Sequence, residues 1–203
     1  MAGDDTQAQE RRSAETYGKL VTATVNAVFE HGYAGATMTV IAQTAGVTRG
    51  AIQHHFGDRR VDIIARVTEH ILRERQEAYA SFYGASPAEG ETVDTRAAMK
   101  AAYRDPATWF LIEVWIASKS DPELRDRVNT TLREVNDRGD MDIATHLSRL
   151  SDADFRVLKY FFRSLTRGIA LEYSRKPDTA LFDAVVDMAL DALEGLNGAV
   201  PKA

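Results

Sequence analysis

The chain of 203 residues contains no cysteine. This absence excludes disulfides, a thiol nucleophile and cysteine-ligated zinc or iron–sulfur centres within it. Proline and glycine are also sparse, with five and 13 residues. Since 44% of the residues are hydrophobic and 27% are charged, the composition is typical of a folded, helix-rich protein and argues against extensive disorder. We predict no cofactor.

Long apolar runs are missing as well. The N-terminal sequence MAGDDTQAQERRSAET is polar, and no stretch approaches the roughly 20 apolar residues that cross a bilayer. The lack of cysteine agrees with a reducing compartment. We therefore expect a cytoplasmic protein with neither an export signal nor a membrane segment.

An excess of positive charge is absent from the chain as a whole, whose net charge is -5. The charge is unevenly distributed, however. Residues 11–60 carry six basic and three acidic residues, a net charge of +3, whereas the residues from 61 onward carry 19 basic and 24 acidic ones. This asymmetry predicts that the N-terminal part can approach phosphate groups while the remainder keeps the protein soluble.

Apolar residues recur at helical spacing almost throughout, and no segment shows the alternation of a strand. The sequence therefore predicts an all-α fold. A first helix ends in the glycine-containing segment 31–35, because glycine commonly stops helices. A long helix follows Phe56-Gly57-Asp58 and continues to about residue 83. Further helices are predicted at about 92–104, 106–119, 122–147, 152–174 and 178–196.

Residues 37–56 have the pattern of a helix-turn-helix. Thr37 and Thr48 can cap two short helices, at about 38–45 and up to about His55, and Gly46 supplies the tight turn between them. Small and apolar residues form the face that the two helices share: Ile41, Ala42, Ala45, Val47, Ala51 and Ile52. An ordinary helical hairpin, in which the glycine only makes a turn, is the alternative.

The outer side of the second short helix carries residues that suit DNA. Arg49 and Gln53 can make bidentate contacts with guanine and adenine edges, and threonine and histidine side chains more often hold phosphates. Arg59 and Arg60 follow closely enough to reach a flanking phosphate. The predicted DNA-binding residues are Thr37, Thr39, Thr48, Arg49, Gly50, Gln53, His54 and Arg60.

The segment Thr37-x-x-x-Ile41-Ala42-x-x-Ala45-Gly46-Val47-Thr48-x-Gly50-x-Ile52-x-x-His55-Phe56, preceded by His31-Gly32-Tyr33, resembles the TetR family of regulators. The resemblance covers about residues 17–64. It implies a three-helix DNA-binding head, a linking fourth helix, and a C-terminal body that pairs two subunits and holds a small ligand. Two residues depart from the family pattern, since Gln53 stands where many members have tyrosine and Arg60 where lysine is usual.

The resemblance divides the chain into residues 1–60, a helix-turn-helix domain, and residues 61–203, a domain for effector binding and dimerisation. The run 109–116 is apolar except for Glu113, so we expect a buried helix that is either core or one wall of an effector pocket. We expect a small apolar or amphipathic effector. The candidate pocket residues are Tyr103, Trp109, Phe110, Glu113, His146 and Phe161.

The last two predicted helices carry broad apolar stripes. Packing within the subunit would explain them as well as dimerisation does, but two-fold DNA half-sites need a two-fold protein. The resemblance likewise implies a homodimer. The candidate interface residues are Phe155, Leu158, Phe162, Leu165, Leu181, Val185 and Met188.

The predicted function is a repressor that an effector releases from a palindromic operator. A regulator that activates transcription or needs no effector is one alternative. An all-helical enzyme is another, but the sequence has none of the common hydrolase, phosphate-loop or dinucleotide motifs. A metal site at His54, His55 and Asp58 is disfavoured, because adjacent histidines diverge by about 100° on a helix and structural sites usually need four ligands.

Overall fold

The computed structural model describes residues 2–84, 94–131, 133 and 152–199, and every regular element among them is a helix. The all-α prediction is confirmed. The helices are α1 (Ala2–Gly35), α2 (Met38–Ala45), α3 (Arg49–Phe56), α4 (Arg60–Gly84), α5 (Thr95–Arg104), α6 (Pro106–Ala117), α7 (described over residues 122–131), α8 (Asp152–Arg175) and α9 (Thr179–Ala199). No helix of the described part is both long and apolar enough to cross a membrane.

Helix α1 breaks at Gly32, as the sequence predicts. Gly32 has φ 68° and ψ 171°, a backbone conformation that side chains with a Cβ rarely adopt. The backbone N–H of Ala36 donates to the carbonyl oxygen of Gly32 over 3.1 Å and closes the turn that follows. The break sets the direction in which the chain enters α2.

The predicted caps of the two short helices are confirmed. The Thr37 hydroxyl accepts a hydrogen bond from the N–H of Val40 (3.3 Å), and the Thr48 hydroxyl accepts one from the N–H of Ala51 (3.2 Å). Gly46 ends α2 with φ 65° and ψ 31°, and its N–H donates to the carbonyl oxygen of Gln43. Local sequence thus fixes both helices and the turn between them.

The chain divides into two compact units. The first comprises Met1–Tyr79 and Phe110–Met141, and the second comprises Ala80–Trp109 and Asp142–Ala203, as far as these ranges are described. Helices α1 to α3 therefore share a unit with most of α6 and with α7. The predicted division at residue 60 concerns function and stays a prediction.

The core of the first unit is built from the apolar faces of α1 to α4, α6 and α7. Burial is complete or nearly so at Leu20, Val28, Ile41, Ile52, Phe56, Ile63, Ile64, Val67, Phe110, Val114 and Leu124. Replacing such a residue by alanine typically costs about 2–5 kcal/mol. This shared core makes α2 and α3 a firm platform for side chains on their outer faces.

In the second unit, α5 packs on α8 and α9. Tyr103 is buried, and its ring lies 5.3 Å from Tyr173 and 6.3 Å from Phe182 in an aromatic cluster. Beside this cluster runs a salt-bridge ladder of three basic residues on α5 and three acidic residues on α9. Its members are Arg96, Lys100, Arg104, Asp183, Asp187 and Asp191.

Candidate nucleic-acid interface

Helix α3 is amphipathic in the sense that a recognition helix requires. Ile52 is fully buried and Phe56 nearly so, whereas Arg49, Gly50, Gln53 and His54 are exposed. Positions 49, 50, 53 and 54 lie on one side of a helix with 3.6 residues per turn. The four exposed residues that the sequence assigns to DNA contact therefore share one face.

The threonines of the predicted set lie at the N-termini of α2 and α3, and Thr37, Thr39 and Thr48 are all exposed. The oxygens of Thr37 and Thr48 accept the capping hydrogen bonds. A hydroxyl that accepts a hydrogen bond still has its own proton to donate. Both groups can therefore cap a helix and donate to a phosphate oxygen at the same time.

The two adjacent histidines of α3 have different surroundings. His54 is exposed, and His55 is half-buried with its ring edge-on to Tyr17 at 6.2 Å between centroids. Burial lowers the pKa of His55, and the neighbouring His54 lowers it further. His55 thus packs in its neutral form near pH 7. Among the described residues, no three His, Asp or Glu side chains are grouped to hold a metal ion.

The two arginines that follow α3 have partners within the protein. The Arg60 guanidinium lies 4.3 Å from the centre of the Tyr33 ring, and its Nη1 donates to the carbonyl oxygens of Tyr33 (2.7 Å) and Ala34 (3.2 Å). Arg59 pairs with Glu123. Phosphate contact by Arg60 stays a prediction, and the structure gives its side chain a role in joining α4 to the end of α1.

Tyr33 is held by three side chains from different elements, which we call the Tyr33 cluster: Arg60, Glu113 and Asp121. The backbone N–H of Tyr33 donates to Oε2 of Glu113 (3.2 Å), and its hydroxyl donates to Oδ2 of Asp121 (2.9 Å). Burial and the hydrogen bond to Asp121 raise the pKa of Tyr33 to about 12. The hydroxyl therefore stays a proton donor under all physiological conditions.

Asp121 has two tasks at the start of α7. Its Oδ1 accepts the backbone N–H of Leu124 (3.0 Å), and the other carboxylate oxygen accepts the Tyr33 hydroxyl. The backbone hydrogen bond from Leu124 and the bond from Tyr33 lower the pKa of Asp121 against the opposing effect of burial. The contact with Tyr33 joins residues 88 positions apart, so no local sequence pattern indicates it.

A second set of ion pairs joins α7 to the beginning of α4. Arg127 pairs with Asp62 and lies 3.7 Å from Glu123, which also pairs with Arg59. These side chains are partly exposed, so each pair contributes little alone. Together with the Tyr33 cluster, they connect α7 to both ends of the helix-turn-helix segment.

The structure gives the predicted pocket residues varied surroundings. Phe110 is fully buried in the first unit, and Glu113 accepts the N–H of Tyr33. In the second unit, Trp109 is half-buried, and the buried Tyr103 donates its hydroxyl proton to Asp183 over 2.8 Å. Phe161 is exposed with its edge on Phe162, and His146 lies outside the described residues. An effector pocket lined by these residues stays a prediction.

The expectation that the whole run 109–116 is buried is wrong at its C-terminal end. Trp115 and Ile116 are 49% and 52% exposed, whereas Phe110, Ile112 and Val114 are buried. Uniform hydrophobicity conceals which side of a helix faces the core, because the pattern contains no polar side to mark the surface.

The predicted dimer residues divide into exposed and half-buried ones. Leu181 and Met188 are exposed, and Phe162, Leu165 and Val185 are half-buried. The side chains of Phe155 and Leu158 lie outside the described part. Additional apolar residues of α8 that the prediction omitted are exposed: Val157, Tyr160 and Leu171.

A capped helix with an exposed polar face, packed on a preceding helix across a left-handed glycine, is the arrangement found in helix-turn-helix DNA-binding proteins. Residues 20–61 match the family model described as "Bacterial regulatory proteins, tetR family". The chain is 26% identical to the HTH-type transcriptional regulator CymR of Pseudomonas putida, over 90% of this chain and 91% of that protein. It is also 26% identical to the HTH-type transcriptional repressor AcnR of Corynebacterium diphtheriae, over 81% of this chain and 84% of the relative.

Solved structures agree in fold. A protein described as a TetR-family transcriptional regulator from Rhodococcus sp. superposes with a TM-score of 0.62 at 17% identity, covering 88% of this chain and 98% of that chain. A transcriptional regulator from Pseudomonas aeruginosa gives 0.58 at 20% identity, covering 92% of each chain. The family match over residues 20–61 and the relatives along most of the chain support a transcriptional regulator of the TetR type.

Proposed function

We propose that this regulator is a repressor that binds a palindromic operator as a homodimer and leaves it when a small effector binds. The exposed face of α3 carries the proposal, because Arg49 and Gln53 project from a helix whose opposite side is anchored by buried Ile52 and Phe56. Such an arrangement suits insertion into the major groove.

Within this face, Arg49 and Gln53 are proposed to contact base edges, since guanidinium and amide groups can form two hydrogen bonds to guanine and adenine. Exposed Thr37, Thr39, Thr48 and His54 suit phosphate oxygens. Gly50 lets the backbone of α3 come close to the duplex. Arg60 is the weakest member of the proposed set, because Tyr33 and Ala34 already occupy its Nη1.

A homodimer would present two such helices about 34–36 Å apart, the spacing of successive major grooves. The proposed contact surface is an exposed stripe on α8 and α9 that combines large apolar residues with Gly168, where an added Cβ would meet nothing within 4 Å. Small residues let helices approach closely. The stripe consists of Val157, Tyr160, Phe161, Gly168, Leu171, Leu181 and Met188.

The proposed effector is a small apolar or amphipathic molecule bound in the C-terminal part of the chain. It would release DNA by favouring a conformation in which the two recognition helices no longer match the groove spacing. Coupling of about 1–3 kcal/mol, or about 5-fold to 150-fold in affinity, is usual for such linkage. The linkage is reciprocal, so operator DNA must weaken effector binding by the same factor.

The proposal is tested with the purified protein and DNA from around its own gene, by electrophoretic shift at two salt concentrations. The double variant Arg49→Ala, Gln53→Ala is compared with Arg175→Ala, which removes an exposed arginine at the end of α8. We expect saturable binding to a palindromic fragment, unchanged in the control and weakened at least about 30-fold in the double variant, from about 1 kcal/mol or more per bidentate contact.

Equal, salt-sensitive binding to every fragment, unaffected by the double variant, would mean that only nonspecific phosphate contacts are made and that the recognition residues are misassigned. Thermal melting of each variant checks that the fold is intact.

A further inference from the structure

Tyr33 is the residue at which four helices of the first unit meet. It follows the Gly32 break at the end of α1, its ring lies under the Arg60 guanidinium at the start of α4, and its polar atoms bind Glu113 of α6 and Asp121 at the start of α7. Its two carboxylate partners are 80 and 88 residues away in sequence.

Glu113 binds the backbone next to the break in α1 at Gly32. Its Oε2 accepts the N–H of Tyr33, and an added Cβ on Gly32 would lie at an ordinary contact distance, 3.8 Å, from the same oxygen. A shift of α6 along or about its axis therefore changes a hydrogen bond at the break itself. Since the break sets the direction from α1 into α2, a small change there alters the placement of the DNA-binding face.

Asp121 makes the contact with Tyr33 two-sided. Its carboxylate accepts the Leu124 N–H, so the Asp121 side chain moves together with the first turn of α7. Hydrogen bonds to an ionised carboxylate are roughly twice as strong as those between neutral groups. The Tyr33 side chain and backbone are thus tied separately to the residues on either side of the turn between α6 and α7.

We propose that Glu113 and Asp121 are positioning residues that set the orientation of the DNA-binding face through Tyr33, so that regulatory coupling passes through the end of α1. The inference rests on the proposed function. It assigns Glu113 a role in transmission, in place of the contact with an effector that the sequence suggested. Binding of DNA must then slow hydrogen exchange in residues 113–124, which span the end of α6 and the start of α7, even without effector.

The test uses hydrogen exchange of the full-length protein, measured by mass spectrometry with and without the DNA fragment that binds saturably. In the wild type, we expect DNA to slow exchange in residues 113–124 by at least about 5-fold, the lower end of usual coupling. Tyr33→Phe keeps the ring over which Arg60 stacks and removes only the hydroxyl bond to Asp121. Glu113→Ala removes the acceptor for the Tyr33 N–H, whereas Glu113→Gln keeps an oxygen that can accept it.

The chain offers a matched control in Tyr103→Phe. This change also removes a tyrosine hydroxyl bond to an aspartate, Asp183 at 2.8 Å, from a tyrosine that has an arginine over its ring. We expect Tyr33→Phe and Glu113→Ala to bind DNA but to lose most of the slowing in residues 113–124. Tyr103→Phe and Glu113→Gln should retain it.

The inference is overturned if DNA binds saturably to the wild type without changing exchange in residues 113–124, or if Tyr33→Phe and Glu113→Ala retain the full change. The failure of the proposed function looks different, because then no fragment binds saturably to the wild type. A merely structural role for the Tyr33 cluster would lower the melting temperature of the variants and leave the DNA-dependent change in place.

Discussion

Two glycines of the helix-turn-helix segment have opposite conformational requirements. Gly46 adopts φ 65° in the turn, whereas Gly50 lies within α3 and is exposed. A Cβ added at Gly50 would lie at an ordinary contact distance, 3.7 Å from the Thr48 hydroxyl oxygen. The two positions therefore separate the needs of folding from those of DNA binding.

Substituting alanine at each position makes the separation measurable. Gly46→Ala should lower the free energy of unfolding by about 1–2 kcal/mol, the cost of a left-handed conformation for a residue with a Cβ. Gly50→Ala should raise it by up to about 1 kcal/mol, because alanine favours helix over glycine, while weakening DNA binding by blocking close approach. Urea unfolding and electrophoretic shift measure the two effects.

The role of Gly50 in DNA binding is wrong if Gly50→Ala is stabilised and binds operator as tightly as the wild type. A stable Gly46→Ala would instead mean that the turn tolerates a different backbone conformation.

At the level of single residues, the sequence predicts what depends on local periodicity. Buried Ile52 and Phe56 alternate with exposed Arg49 and Gln53 at helical spacing, so the outer face of α3 follows from the order of residues alone. The partner of Glu113 does not follow from the order of residues. A glutamate in an apolar run indicates a specific polar contact, but the contact joins residues 80 positions apart, and only tertiary packing decides which group it meets.

At the level of helices, the acidic residues of the salt-bridge ladder between α5 and α9 differ in their number of basic partners. Asp187 accepts contacts from Arg96 (3.3 Å) and Lys100 (2.7 Å), whereas Asp191 pairs with Arg96 alone. The hydrogen bonds from Lys100 and Arg96 hold the pKa of the Asp187 carboxyl below its usual range despite the opposing effect of burial. Asp187 thus has more basic partners in the ladder than Asp191 has.

Neutralising the acidic residues one at a time should reveal this order. We expect Asp187→Asn to lower the melting temperature more than Asp191→Asn does, and Glu172→Gln, which removes an exposed pair with Arg175, to have almost no effect. The differences should shrink between about 0.1 M and 1 M salt, as the screening length falls from about 10 Å to about 3 Å. Equal melting temperatures for all three variants at low salt would show that the ladder does not stabilise the helix pair.

Helix positions were largely predictable, because caps and breakers are local. The predicted helices at 106–119 and 152–174 correspond to α6 (Pro106–Ala117) and α8 (Asp152–Arg175). The ladder was not predicted, although its charges recur at intervals of four residues on both helices. Pairing across helices 87 residues apart depends on which faces meet, and sequence spacing shows only that such faces exist.

For the molecule as a whole, the exposed stripe on α8 and α9 bears on oligomeric state. Leu171 is 42% exposed and Met188 67% exposed, so neither side chain contributes much to the core of one subunit. Groups of large exposed apolar residues often mark a surface that another protein chain covers. The stripe supports dimerisation more directly than the half-buried residues of the sequence-based set do.

Placing charge on this stripe should separate subunits without unfolding them. We expect the double variant Leu171→Glu, Met188→Glu to sediment as a monomer where the wild type sediments as a dimer, with a circular dichroism spectrum that is unchanged. Phe29→Glu is the control for one added charge, because Phe29 of α1 is 47% exposed, close to the 42% of Leu171. A double variant that remains dimeric would place the interface elsewhere on the chain.

The ladder between α5 and α9 has a repeat of four residues on both helices. If α5 slid by four residues, about 6 Å, two of its three basic side chains would still lie opposite carboxylates. Charge alone therefore distinguishes poorly between the two alignments of these helices. Tyr103 is the single tyrosine of α5 and has no counterpart four residues away. Its ring therefore packs against Tyr173 and Phe182 in one alignment alone. A single aromatic side chain thus selects the alignment, and the ion pairs strengthen whichever one that ring has selected.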